Sequence, residues 1–321
     1  MIEKLKDLLY KLIVWTGILN YIGPTLFVYW MKLFLNPEKG NHEEADQSGQ
    51  KIKMARCNGR NYALISLHRF PSIPHIKIRN DDIFLCSYPK AGCHWLHEIM
   101  HMLITGKTRM STIGKEYDGG IDFMPDLILD SLPSPRILNS HLLYRELPTG
   151  VKEKKVKIVL MVRNPKDVVV SFFHHHKHLK NFYGYDGDLN GYFEMFMEGR
   201  LEYGSYFDYI LNWDKVMKEA SDNPILLITY EDLKKQPLDT VLKVAKFLNL
   251  NVTTEFVEKV IDACDFGKMK TVRSKHGQIS GKIYRSGTVG DWRNWLSNAQ
   301  SDAVDQMIQK RMLGCIYQPQ Y

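Results

Sequence analysis

The sequence predicts an α/β domain, a central and mainly parallel sheet flanked by helices. Three observations carry this. From about Ser66 onward, apolar runs alternate with segments of helical period; one run turns through a lysine and a glycine into a helix; and the runs end in polar residues. Strands that are apolar along their whole length belong inside a sheet covered on both faces. With 321 residues, 44% of them hydrophobic, the chain can build such a core.

The elements follow in order. Residues Leu12 to Met31 carry no charged side chain and lie between Lys11 and Lys32. That span matches the roughly 20 residues of a bilayer crossing. Trp15, Tyr21, Tyr29 and Trp30 suit the membrane interface. Asn20 and Gly23-Pro24 weaken the case for one straight helix. Residues 1–35 are therefore read as a hydrophobic segment and candidate membrane anchor acting through 12–31, with a membrane-dipping hairpin or interfacial helix next and a buried or partner-covered helical arm as the remaining alternative. Residues 36–65 read as a linker, because Asn36 to Gln50 is polar and rich in Glu, Asp and Gly. Residues 66–321 are the folded domain. Within it Ile83–Ser87 is a strand and His94–Thr105 a helix. Residues Gly106 to Pro135 are irregular, and an insert of this kind often covers a site. Arg136–Ser140 is a short strand, and Lys157–Arg163 is an apolar strand ending in a charge. Pro165 then opens a helix, where its missing N–H costs nothing. A helix over Glu202–Ala220, a strand over Pro224–Tyr230 and helices over Leu238–Asn249, Thr254–Cys264 and Ser301–Leu313 complete the chain.

Net charge is +7, from 43 basic and 36 acidic residues. This is a mild bias toward anionic ligands and not the dense basic stripe of a nucleic-acid binder. Cys57, Cys86, Cys93, Cys264 and Cys315 are odd in number and include no CxxC pair, so free thiols and no zinc knuckle are expected. His174, His175, His176 and His178 sit in a helix with no acidic or cysteine partner nearby; they read as packed or solvated histidines rather than a metal site.

The octapeptide Tyr88-Pro89-Lys90-Ala91-Gly92-Cys93-His94-Trp95 joins a buried strand to a helix start. Unpaired amides and a positive dipole end collect there. Gly92 allows close approach of backbone to a ligand, and Lys90 adds a mobile charge. The combination suits a phosphate or sulfate group. Other strand ends bring His141, Arg163 (with Ser171 two helical turns on) and Tyr230-Glu231-Asp232 to the same edge. The run Tyr284–Trp292 adds Arg285 and two glycines that permit tight turns around an anion.

These motifs together resemble the cytosolic-type sulfotransferases, which move a sulfuryl group from 3′-phosphoadenosine 5′-phosphosulfate (PAPS) to an acceptor hydroxyl or amine. The resemblance runs from roughly Pro71 to Leu313. It is carried by the loop at 88–95, Val162–Asp167 with Ser171, Tyr230–Asp232 and Arg285–Trp292. It implies a P-loop-like strand–loop–helix in which Lys90, Ala91, Gly92, Cys93 and His94 hold the 5′-phosphosulfate. Arg163, Ser171, Arg285, Ser286 and Gly287 would hold the 3′-phosphate, Trp95 and Phe266 would sandwich the adenine, and Tyr230 would bond its edge. His141 would be the general base and Lys90 would stabilise the leaving oxygen. PAPS is the implied co-substrate, with no metal needed for the transfer itself.

The sequence departs from the family pattern at two places. Cys93 and His94 stand where two threonines are usual, and Asn139 replaces a lysine that helps hold the sulfuryl oxygens; Asn139 still donates hydrogen bonds but brings no charge. Reduced but real turnover is expected. The usual dimer pattern is echoed by Arg293, Ser297-Asn298 and Asp302, so a homodimer stays open. Two rival functions stand beside an active transferase. A PAP/PAPS-binding module with weak or lost activity is motivated by Asn139 and Cys93-His94. A nucleoside-triphosphate kinase would need Gly-x-x-x-x-Gly-Lys-[Ser/Thr], which is absent. The acceptor is expected to be small and hydrophobic, such as a phenol, alcohol or steroid, in a pocket lined by the insert at 106–135 and by residues around Phe123, Tyr144, Phe182 and Tyr183. A cytoplasmic location is expected, membrane-associated if 12–31 engages a bilayer.

Overall fold

The first described residues, expected to be linker, are strands. The computed structural model describes residues 41–111, 119–219, 221–275 and 284–319. β1 (Asn41–Ala45), β2 (Lys51–Cys57) and β3 (Arg60–Tyr62) form an antiparallel sheet in that order. Over 41–62 the linker reading gives way to these strands. Lys51-Ile52-Lys53-Met54 alternates with the period of a half-buried strand, and Ile52, Met54 and Tyr62 enter the main core. The hydrophobic segment 12–31 lies outside the described residues. Among those that are described, no helix is long and apolar enough to cross a membrane.

The domain then alternates as its apolar pattern requires. β4 (Ile83–Ser87) leads to α1 (Cys93–Thr105), and α2 (Asp126–Ser131) is a short helix inside the insert read as irregular. β5 (Ile137–Ser140), α3 (Thr149–Glu153), β6 (Lys157–Val162) and α4 (Pro165–His178) follow. Next come α5 (Lys180–Tyr183), α6 (Leu189–Met197), α7 (Tyr206–Lys218), β7 (Ile225–Thr229) and α8 (Tyr230–Lys235). The chain closes with α9 (Pro237–Phe247), α10 (Thr254–Ala263), α11 (Phe266–Lys275) and α12 (Asn298–Arg311).

The sheet is four-stranded in the order β5-β4-β6-β7, and every pair is parallel. Its registers align Cys86 with Ser140, Ser87 with Met161, and Val162 with Thr229, so all four carboxyl ends lie at one edge. The pleat separates two cores. Phe84, Cys86, Ile158 and Leu160 pack with α4, α6 and α7, while Leu85, Val159 and Met161 pack with α1, α9 and α10. Helices therefore cover both faces, as expected.

Boundaries moved where side chains had other work. Arg136 precedes β5 because its guanidinium is buried on Asp82, at 2.5 Å, and on the Leu129 carbonyl, at 2.9 Å. The helix expected from Glu202 begins at Tyr206, because Tyr203 and Gly204 take positive φ and Ser205 caps it through the Asp208 amide. The carboxyl-terminal helix begins at Asn298, three residues before the expected start. Ser297, part of the echoed dimer pattern, caps it, and Gln300 completes the capping box. All five cysteines are unpaired.

Candidate active site

The loop after β4 is shaped for close contact. Lys90 holds φ at 67°, which is uncommon for a residue with a Cβ, and Gly92 holds φ at 107°. A Cβ on Gly92 would come within 2.7 Å of Tyr230 and 2.9 Å of Met161, so only glycine lets the turn settle there. The first bonds of α1 come from Trp95 and Leu96, both donating to the Gly92 carbonyl. The amides before them sit at the positive end of a helix running to Thr105.

Arg163 ties the neighbouring pieces to that loop. Its guanidinium lies 4.1 Å above the Tyr230 ring. It donates to the Thr288 carbonyl at 3.0 Å and reaches the Lys90 carbonyl at 3.5 Å. Its Nε is buried with no hydrogen-bond partner among the described residues. Burial pushes the Tyr230 hydroxyl up in pKa, which keeps it a neutral donor. Trp95 meets Tyr230 edge-on at 5.6 Å, with the Lys234 ammonium 4.9 Å from the indole. Phe266 packs beside Tyr284 at 6.1 Å and beneath Gly287, whose absent Cβ would clash with its ring. Arg163, Tyr230, Trp95, Phe266, Gly287 and the Lys90 loop thus form one connected set.

His141 stands just past β5. Its Nδ1 lies 2.7 Å from the Ser87 carbonyl. A carbonyl only accepts, so Nδ1 carries the proton and Nε2 is the basic nitrogen. Tyr203 packs edge-on to the imidazole at 5.2 Å. The backbone of Asn139 is fixed on both sides, by the Gly119 carbonyl at 2.8 Å and the Ile121 amide at 3.1 Å.

A sulfotransferase-domain family model matches residues 80–315. The chain belongs to the cytosolic-type sulfotransferase family. Human sulfotransferase 6B1 is 34% identical over 249 residues, 76% of this chain and 80% of the relative. Sulfotransferase 6B1 of Danio rerio is 30% identical over 285 residues, 86% and 94% of the two chains. The solved structure of mouse sulfotransferase SULT7A1 complexed with PAP matches with a TM-score of 0.70 at 29% identity, covering 81% of this chain and 95% of that one. A retinol dehydratase structure, at 19% identity and a TM-score of 0.69, shares the fold. This sulfotransferase is an enzyme that takes PAPS as co-substrate and transfers its sulfuryl group to a small acceptor.

Some expected residues sit differently in the sulfotransferase. Arg285 is paired with Asp291 and faces Trp295, with 5.8 Å between guanidinium and indole. Ser286 donates to Thr288 Oγ1 at 2.8 Å. Ser171 is half-buried on α4, and Cys93 is buried in the second core. Tyr144 leaves the expected acceptor pocket. Its hydroxyl bonds Asn223 at 2.7 Å, near the amino ends of β6 and β7. A cavity of about 730 Å³ near Met102, Lys268 and Val272 is lined in part by Arg109 and Met110 of the insert and by none of the residues expected to bind PAPS or to act in catalysis.

Sequence reasoning missed three supports. Asp167 accepts from the amides of Gly290, at 2.8 Å, and Trp292, at 3.1 Å, which pins the glycine-rich run to the start of α4. Glu231 accepts from the Asn164 amide at 3.0 Å. Asp122, in the insert, accepts from Ser140 and His141. Asp167 and Glu231 lay inside quoted motifs, so their signal was present without a role; Asp122 had no signal beyond its place near a loop glycine.

Proposed function

We propose that His141 is the general base of sulfuryl transfer, with Lys90 at the leaving oxygen and Arg163 gripping the 3′-phosphate. The Nδ1 contact of His141 with Ser87 carries this reading, because it aims the basic Nε2 away from the strand and fixes the tautomer. Bound in this cradle, PAPS supplies the sulfuryl group. The amides of Gly92 and its neighbours bind the phosphosulfate oxygens, and the Lys90 ammonium neutralises charge that collects on the bridging oxygen. Arg163, whose Nε is an unused buried donor among the described residues, orients the ribose phosphate as a planar cation. Asn139 donates to sulfuryl oxygens from a backbone clamped on both sides. His141 Nε2 takes the acceptor's hydroxyl proton as attack proceeds.

The acceptor is a small hydrophobic alcohol or phenol, a steroid included. Half-buried Phe123 and Phe182, which pack against the main core, support an apolar wall. No finding supports the alternative of a binding module without transfer. The test is turnover of a phenol and steroid panel with PAPS, followed by mass detection. His141→Ala should lower kcat by about 10²–10⁴-fold, the range of general-base catalysis, while the thermal shift with adenosine 3′,5′-bisphosphate (PAP) stays. A variant with wild-type rate would remove His141 from this role.

A further inference from the structure

We propose that Asp122 is the positioning residue for the base, holding the Ser140–His141 step so that the imidazole can meet the acceptor. The inference rests on the reading of His141 as the base. Both carboxylate oxygens of Asp122 are committed to that step. Oδ1 accepts from Ser140 Oγ at 2.6 Å, and Oδ2 accepts from the His141 amide at 2.8 Å. Ser140 Oγ in turn accepts from the Leu142 amide at 3.1 Å. With Ser87 on Nδ1, His141 is held at its backbone and its ring by different elements.

The fold goes to some length to put a carboxylate there. Gly120 pairs in parallel with Asn139, which lays residues 119–121 along the free edge of β5. Gly119, at φ 150°, makes this possible, since a Cβ would lie 2.1 Å from the Ile137 carbonyl oxygen. The amides of Phe123 and Met124 then fold back onto the Gly120 carbonyl at 3.0 and 2.8 Å, wrapping the turn around Asp122. Arg69 clamps this turn, donating to the Ile121 carbonyl at 3.3 Å and pairing with Asp126 at 2.7 Å. Asp122 is 1% exposed. A carboxylate is costly to bury, and here its oxygens go to the two residues that deliver the base.

These two contacts are with a backbone amide and a neighbouring hydroxyl at the end of β5, on the acceptor side of the site. Asp122 therefore acts on kcat through His141 and leaves nucleotide affinity alone. Asp122→Ala strands a buried amide and frees the step, and a displacement of about 1 Å at a reacting group can cost ~10²-fold. Asp122→Asn keeps an acceptor for the His141 amide, while Ser140 Oγ can turn to accept from the new NH₂.

The experiment is a double-mutant cycle on the full chain, with kcat at saturating PAPS and PAP affinity by titration calorimetry. Asp122→Ala should lower kcat by roughly 10–100-fold, with PAP affinity within about twofold. Asp122→Asn should recover most of the loss. In the His141→Ala background, Asp122→Ala should cost no more than about twofold, since residues acting as a unit are non-additive. If Asp122→Ala does not fold, Ser140→Ala is run through the same cycle with the same non-additivity expected. Equal losses in both backgrounds, or a kcat that ignores the change while His141→Ala remains crippled, would overturn the role of Asp122 alone. A fully active His141→Ala protein would instead remove the base reading, and this inference with it.

Discussion

Gly92→Ala is the sharpest probe of the cradle. The substitution meets two costs that can be worked separately. At φ 107° an L-residue is strained, at about 1–3 kcal/mol. The new Cβ would also sit 2.7 Å from Tyr230 Cδ2 and 2.9 Å from Met161 Cε, inside contact distance of two buried side chains. Overpacking of this kind costs about 1–3 kcal/mol. Tyr230 also carries Arg163 on its face, so a shift of the ring is passed to the guanidinium proposed to grip the 3′-phosphate. A combined cost of roughly 2–6 kcal/mol corresponds to a fall in Tm of about 4–24 °C, or to PAP binding weaker by about 30-fold or more where the strain is borne by the bound loop. Gly106→Ala is the control. Gly106 has φ 65° with no atom within 4 Å of the built Cβ, so only the backbone cost of about 1 kcal/mol applies. Scanning calorimetry with and without PAP reads both terms. A Gly92→Ala protein that matches the Gly106→Ala protein in Tm and in PAP affinity would refute close packing of the loop on Tyr230.

Two further outcomes follow from contacts around the site. Arg163→Lys keeps the charge but cannot both cover Tyr230 and reach the Thr288 carbonyl, so PAP affinity should fall by about 10–100-fold; unchanged affinity by calorimetry would exclude this geometry. Burial, with the positive charge of Arg285 next, holds His174 down at about 4 against an ordinary 6.5. The unfolded chain takes up a proton below 6.5 that the folded chain refuses, so stability is present above 6.5 and is lost as pH falls toward 4. After screening at a partly exposed ring this is on the order of 1 kcal/mol at about pH 5, and His174→Phe should lose less Tm than the wild type between pH 7.5 and 5. Parallel pH slopes would show that His174 does not contribute.

The parallel sheet was readable because Ile83–Ser87 and Lys157–Val162 are apolar throughout, which leaves few alternatives to a doubly covered strand. The tight loop after β4 was readable for a related reason. A turn that packs on neighbouring side chains at positive φ demands glycine, and that demand leaves a local mark at Gly92. The acceptor side leaves fewer such marks. Asp122 works through hydrogen bonds to residues 18 and 19 positions away, and nothing local requires an aspartate there. Tyr144 looked like a pocket aromatic, yet the direction of its side chain is set by Asn223 and by Trp213, at 5.7 Å between rings. The strands at 41–62 were hidden by charge, because Lys51 and Lys53 sit on the outer face of a strand whose inner face is Ile52 and Met54.

Those early strands bear on how the enzyme can be trimmed. Arg60 donates to the Tyr203 carbonyl and pairs with Glu146 at 2.9 Å, and the Tyr203 amide donates back to Asn61 at 2.7 Å. Tyr203 is the ring against His141. The recognisable domain begins at residue 80, yet a protein cut there would lose the brace behind its own imidazole, two contacts away. The shortest piece worth purifying therefore starts ahead of β1, and the edge of the family match at residue 80 is a poor guide to where to place the scissors.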